Sequence, residues 1–210
     1  KKQVSLDEVS DKTEVRVDAS LATQPLMDAY VDNLTNFNLK KDYTNTDPAY
    51  TKLINGETDL IIVTEPSSDE LKRASEAGVE LEVTPVVNEG FVFYTNVNNP
   101  VDSLKLSEIQ DIYTDRITNW EQVGGDDANI IAYQRPENSG SQTGMLSLVM
   151  KDKKIKEPKT EEYIVSMAGI IDAVANYDNS KNAIGYSYYY YATTMYGSDK
   201  IKFLAVDGVS

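Results

Sequence analysis

A chain of 210 residues, 40% hydrophobic and 26% charged, is long enough to bury a core as one domain or as two small lobes. A formal charge of -14, from 34 acidic against 20 basic side chains, argues against nucleic acid, which is held by basic surfaces. Cysteine and histidine are both absent, which removes disulfides, thiolate metal sites, Ser-His-Asp and Cys-His catalysis and the commonest transition-metal ligand.

No apolar run approaches the length of a membrane span. The chain opens at Lys1-Lys2-Gln3, which reads as a processed or trimmed start from which targeting information has been removed.

In chain order, residues 14–17 alternate as a strand. The small-residue turn 18–25 leads to a helix with Leu26, Met27, Ala29, Tyr30, Val31 and Leu34 at helical spacing and Pro25 in its first turn. Ser20 or Thr23 either caps this helix or meets a ligand, and the residues alone leave both open. Residues 36–47 are polar and include a loop. Thr46-Asp47-Pro48 then starts a short helix with Tyr50, Leu53 and Ile54, closed by Asn55-Gly56. DLIIVT, 59–64, reads as a buried strand. It delivers Glu65 either to the sheet edge where ligands bind in open α/β folds or to a solvated loop. Ser67 and Glu70 have capping-box spacing, and their helix runs to Gly78.

Residues 81–87 and 91–95 are extended runs around Asn88-Glu89-Gly90, and Asn98-Asn99-Pro100 signals a turn. Ser107 and Gln110 repeat the capping-box spacing ahead of the stripe Ile109, Ile112 and Tyr113. Ile117 to Trp120 leads to the turn Gly124-Gly125-Asp126, with Trp120 in the core. A short strand, 130–133, then feeds RPENSGSQT, 135–143, ahead of an apolar helix with Met145, Leu146, Leu148, Val149 and Met150.

Strand, small-residue turn and helix make a layout suited to anion capture. Amides at a helix start lack intrahelical partners, Ser139 and Ser141 add hydroxyls, Gly140 admits close approach, and Arg135 offers a planar fork. The competing reading is a serine-capped helix beside a surface arginine. Residues 151–159 form a solvated charged connector, and 167–177 a helix with Ile170, Ile171, Val174 and Ala175 inward. A strand follows at 182–187. The tyrosine-rich stretch 188–196 either packs with its hydroxyls at the surface or stacks on a sugar. The last strand is 201–206. This alternation of strands and helices is α/β.

On DASLATQPL (18–26), DLIIVTEPS (59–67), ITNWEQVGG (117–125), RPENSGSQT (135–143), AIGYSYYYYA (183–192) and FLAVDGV (203–209), the whole chain resembles the phosphate-binding proteins of phosphate ABC transporters. The RPENSGSQT loop after a WxxVGG-like turn is the specific part. The resemblance implies a two-lobed α/β fold, periplasmic-binding-protein-like of type II, with a ligand cleft between lobe I (1–88) and lobe II (89–210). Lobe I would lack the C-terminal strand and helix of the family.

Inorganic phosphate would be bound by the Ser20 hydroxyl, the amides of Leu21 and Ala22, and Thr46 from one lobe. Arg135, Ser139, Gly140 and Ser141 would bind it from the other. Glu65 matches an acidic residue that accepts the phosphate's own proton and so disfavours sulfate, which carries none near neutral pH. The resemblance also implies a monomeric, extracytoplasmic lipoprotein that delivers phosphate to a membrane permease, with no cofactor, no metal and no catalytic residue. Two positions depart from the family: Ala19 replaces a glycine and Leu21 a threonine. A sensor or surface domain of the same fold, with an altered or lost anion site, is the alternative. A phosphoesterase is disfavoured because nothing in the sequence supplies a base for Ser139.

Overall fold

The computed structural model describes residues 14–33 and 38–209. The chain divides between Val83 and Thr84 into two compact units, each with its own sheet.

In the first unit, β1 (Glu14–Ala19) is followed by a tight turn at Leu21–Thr23 and by α1 (Gln24–Asn33). Next come β2 (Asn38–Asp42), α2 (Thr46–Ile54), β3 (Leu60–Ile62) and α3 (Ser68–Glu76). The sheet order is β2-β1-β3 and all pairings are parallel, with Val17 opposite Lys41 on one side and Leu60 on the other. Parallel neighbours need crossovers, which α1 and α2 supply. Val17, Ala19 and Met27 form the buried core, with Val15, Val31, Leu39, Tyr43 and Ile62 packed on it.

Two expectations change in this unit. The polar run after residue 37 contains a strand: β2 pairs with β1 along its whole length while exposing Lys40, Lys41 and Asp42. Leu34, expected on the apolar side of α1, and residues 36–37 lie outside the described residues. The DLIIVT run is not a buried strand. Only Leu60–Ile62 pair, at the rim of the sheet, and Leu60 is 52% exposed. An apolar run does not reveal how many neighbours a strand will have.

The start of α3 follows the sequence closely. Glu70 N–H donates to Ser67 Oγ at 3.1 Å, and Ser67 N–H donates to Glu70 Oε2 at 2.7 Å. Burial holds the Glu70 carboxyl above its ordinary range, against the pull of these bonds. Ser67→Ala is expected to cost about 1 kcal/mol. Chemical denaturation at neutral pH checks this, and an unmoved midpoint would remove the cap from the account.

In the second unit, β4 (Phe91–Asn96), β5 (Ser103–Leu104) and α4 (Leu106–Ile112) precede a tight turn at Trp120–Val123 and β6 (Ile131–Ala132). The helix α5 (Gly140–Gly144) continues into the wider turns of Met145–Met150. A short turn at Thr160–Glu162, α6 (Met167–Asn176), β7 (Ala183–Tyr188) and a second wide turn at Tyr191–Met195 lead to β8 (Ile201–Phe203) and β9 (Ala205–Val206). The main sheet runs β6-β7-β4-β8, and β4 is antiparallel to both neighbours. A core of Phe93, Ile109, Ile112, Tyr113, Trp120 and Met145 lies in this unit, and Trp120 Nε1 donates to Asn182 O at 2.8 Å.

The extended run expected at 81–87 forms no strand, and Val83, Val86 and Val87 are more than half exposed. The cap of α4 is displaced by two residues. Lys105 N–H donates to Glu108 Oε2 at 2.7 Å, while Ser107 lies inside the helix and Gln110 donates to Val149 O at 2.7 Å. An earlier start fits the inward positions of Ile109 and Ile112 and leaves Glu108 as the reciprocal partner. The connector 151–159 is not wholly solvated, because Lys156 is largely covered and pairs with Asp115 and Glu162. The last expected strand breaks at Leu204, where the chain leaves β4 and β9 joins β5.

Candidate anion site

Because β1, β2 and β3 are parallel, their carboxyl ends share one edge of the first sheet. Ser20 follows β1, Thr46 follows the short loop after β2, and Glu65 follows β3. The first unit therefore gathers Ser20, Leu21, Ala22, Thr46 and Glu65 at one edge.

Ser20 is buried. Its N–H reaches Ile62 O at 3.4 Å and its hydroxyl lies 3.0 Å from Thr23 Oγ1. The Thr23 hydroxyl in turn donates to Ile62 O, which fastens the turn to the end of β3. Leu21 is 42% exposed and presents an apolar side chain to solvent. Ala19 is fully buried in the core of this unit. Thr46 is buried at the first position of α2. Glu65 is exposed and follows a rim strand rather than the buried strand that the sequence suggested.

In the second unit, Arg135, Ser139, Gly140 and Ser141 converge on the start of α5. Ser139 caps the helix, with Gln142 N–H donating to its Oγ at 3.3 Å and Thr143 N–H donating to its carbonyl at 2.9 Å. The amides of Gly140 and Ser141 lie ahead of these first intrahelical bonds. Arg135 is held by several elements. Its N–H meets Gln142 Oε1 at 3.2 Å and the Tyr186 hydroxyl at 3.1 Å. Its Nη1 donates to Ser141 Oγ at 3.3 Å and its Nη2 to Val165 O at 2.9 Å. Its Nε is sealed from solvent with no hydrogen-bond partner.

Burial pushes the Arg135 pKa down, and the groups that raise it are the side chains of Tyr186, Tyr94, Tyr191 and Tyr163. Among the described residues no carboxylate pairs with this guanidinium. The competing reading is thus half met: Ser139 is a cap, but Arg135 is not a surface residue.

The sequence reading missed what supports this arginine. Tyr186 is fully buried, its pKa is raised by desolvation, and its hydroxyl donates to Gln142 Oε1. Gln142 also donates to Gln134 Oε1 at 3.3 Å. The Tyr188 hydroxyl donates to Gly140 O at 3.1 Å. A Cβ at Gly144 would stand 2.7 Å from that hydroxyl, so the glycine makes room for it. Tyr186 lies in the strand expected at 182–187 and Tyr188 opens the tyrosine-rich stretch, and neither reads as a support of the arginine, whereas Gln142 stands within the loop itself.

Among the described residues no cluster of acidic side chains has the arrangement of a metal site, and no helix is long and apolar enough to cross a membrane.

A sequence profile of the PBP superfamily domain matches residues 10–203, and the chain belongs to this periplasmic-binding-protein-like superfamily. Among curated relatives, the phosphate-binding protein PstS of Bacillus subtilis (strain 168) is 28% identical over 120 residues, which cover 57% of this chain and 37% of the relative. The match thus spans little more than a third of that protein's length. A candidate phosphate ABC transporter substrate-binding protein with bound phosphate, from Clostridium perfringens, is similar at a TM-score of 0.71 and 24% identity, covering 94% of this chain and 77% of the other. An ABC-type phosphate transport receptor from Vibrio cholerae gives a TM-score of 0.62 at 19% identity, with coverages of 93% and 78%. At these identities the structural likeness establishes the fold.

Proposed function

We propose that this chain is an extracytoplasmic solute-binding protein that captures inorganic phosphate for an ABC-type importer and delivers it to a membrane permease. The observation that carries the reading is Arg135. A largely desolvated guanidinium, with Nε unpartnered and no carboxylate paired with it among the described residues, is costly to hold. An oxyanion supplies the missing charge and can accept from the remaining N–H groups of Nη1 and Nη2. The Ser141 hydroxyl and the amides that open α5 stand on the same loop as further donors. Ser20 and Thr46, at one edge of the first sheet, are the proposed contributors from the other unit, and the relation to PstS supports phosphate as the oxyanion.

Charge-assisted hydrogen bonds contribute about 1.5–3 kcal/mol each. Several of them support micromolar or tighter affinity, about -8 kcal/mol, after association costs. Isothermal calorimetry on anion-stripped protein is the test. Heat with phosphate and silence with sulfate is the expected result, and silence with both would end the proposal.

Glu65 is proposed as the acceptor for the phosphate's own proton. An ionised carboxylate accepts hydrogen bonds and repels a bare oxyanion. Glu65→Gln is expected to narrow the phosphate-over-sulfate preference by about tenfold, the equivalent of one hydrogen bond. Competition titrations with the two anions measure this, and an unaltered preference would take Glu65 out of the selection.

A further inference from the structure

One buried carboxylate has no part in the site as built so far. Asp18 is the penultimate residue of β1, the central strand of the first sheet, and is 1% exposed. Its Oδ1 accepts from Ala19 N–H at 2.8 Å and from Thr44 N–H at 2.9 Å. Its Oδ2 accepts from the Thr44 hydroxyl and lies 3.4 Å from Lys52 Nζ. Lys52 is itself anchored to Asp42 at 2.5 Å. One side chain therefore joins three pieces of chain: the end of β1 just before Ser20, the loop that leads to Thr46, and α2, which Thr46 opens.

We infer that Asp18 is the positioning residue of this edge, clamping the Ser20 turn and the Thr44–Thr46 loop in the relative placement from which both donate to one anion. The inference rests on the phosphate-binding reading.

The contacts also say what Asp18 does not do. Oδ1 already accepts from two amides, and Oδ2 accepts from a hydroxyl and faces the Lys52 ammonium, so this carboxylate is engaged within the first unit and is not offered to a proton on the ligand. A buried carboxylate close to an anion edge is an electrostatic liability, and the pairing with Lys52 offsets it. Its retention is explained by geometry. The hydroxyls of Ser20 and Thr46 and the amides of Leu21 and Ala22 stand on two separate loops, so their common aim depends on what holds those loops together.

The test uses Asp18→Ala, Asp18→Asn and Thr44→Val, with phosphate affinity measured by calorimetry and amide hydrogen exchange followed in anion-free protein. Asp18→Ala is expected to weaken phosphate binding by about tenfold or more and to speed exchange at residues 20–23 and 44–46. Asp18→Asn keeps an oxygen for the two backbone amides and is expected to restore most of the affinity. Thr44→Val, which removes only the hydroxyl bond, is expected to fall between wild type and Asp18→Ala. It also reports on the clamp should Asp18→Ala not fold.

Wild-type affinity in Asp18→Ala, or in Thr44→Val where that is the variant that folds, would overturn the inference. So would Asp18→Asn binding no better than Asp18→Ala. If wild-type protein binds no phosphate, the phosphate reading fails by itself. The clamp is then decided by exchange alone, and unchanged rates in Asp18→Ala and Thr44→Val would refute it.

Discussion

Arg135→Ala is expected to lower phosphate affinity by about a hundred- to ten-thousand-fold, the loss of two charge-assisted hydrogen bonds at about 1.5–3 kcal/mol each. The same substitution should leave the anion-free protein as stable as wild type, or slightly more so. In that state Arg135 is a largely desolvated cation with Nε unsatisfied, and removing it lifts a desolvation cost. Weakened binding without weakened folding separates a binding group from a structural one. Arg135→Lys sharpens the comparison, since it keeps the charge but loses the planar fork. It is expected to fall between the other two. Calorimetry gives the affinities and thermal melts in phosphate-free buffer give the stabilities. Retained affinity in Arg135→Ala would dismantle the site proposed for the second unit.

Trp120→Ala should be the most damaging single change to folding, at about 3–5 kcal/mol. That is a large share of the roughly 5–15 kcal/mol that holds a typical domain together. Trp120 is 1% exposed and packs with Ile109, Ile112 and Tyr113 in the larger core. Its indole N–H satisfies the carbonyl of Asn182, the residue just before β7. The alanine variant loses the apolar volume and strands that carbonyl together. The backbone of Gly125 is tight against the same side chain, where a Cβ would stand 2.9 Å from Trp120 Cβ, so the pocket is closed from that side too. Trp120→Phe restores most of the volume but not the donor, and is expected to recover about half of the loss, leaving roughly the cost of one unpaired carbonyl. Urea unfolding followed by circular dichroism measures both variants. A midpoint within error of wild type for the alanine variant would show that the core repacks around the gap.

The sequence conveyed most where the signal is local. The Ser67–Glu70 box, the helix of Ile170 and Val174 and the Arg135-to-Thr143 loop are each specified by residues within about two turns of one another, and each is present. What failed depends on distant neighbours. Residues 59–64 carry the composition of a central strand, yet β3 has one partner, and nothing in DLIIVT encodes that. Residues 38–42 look like loop because their strand character comes from pairing with β1. The capping-box spacing at Ser107 was genuine as a pattern, but inward packing of Ile109 and Ile112 placed the helix start two residues earlier. The site divides in the same way. Arg135, Ser139 and Ser141 were readable from their own segment, whereas the partners that hold the arginine, Tyr186 and Val165, are brought to it by the fold. Asp18 opened a recognised stretch and still gave no sign of its role, because Thr44 and Lys52 reach it from another loop and another helix.

The rims of the first sheet bear on how copies of this protein behave toward one another. A sheet rim presents unused amides and carbonyls that can template a strand from another molecule. Here one rim, β2, is lined by exposed Lys40, Lys41 and Asp42, and the other, β3, offers only three residues. Charge on one side and brevity on the other discourage edge-to-edge stacking, and a net charge of -14 adds long-range repulsion between molecules. The open side of the sheet therefore need not be a route to self-association, even where Leu60 leaves apolar surface in water.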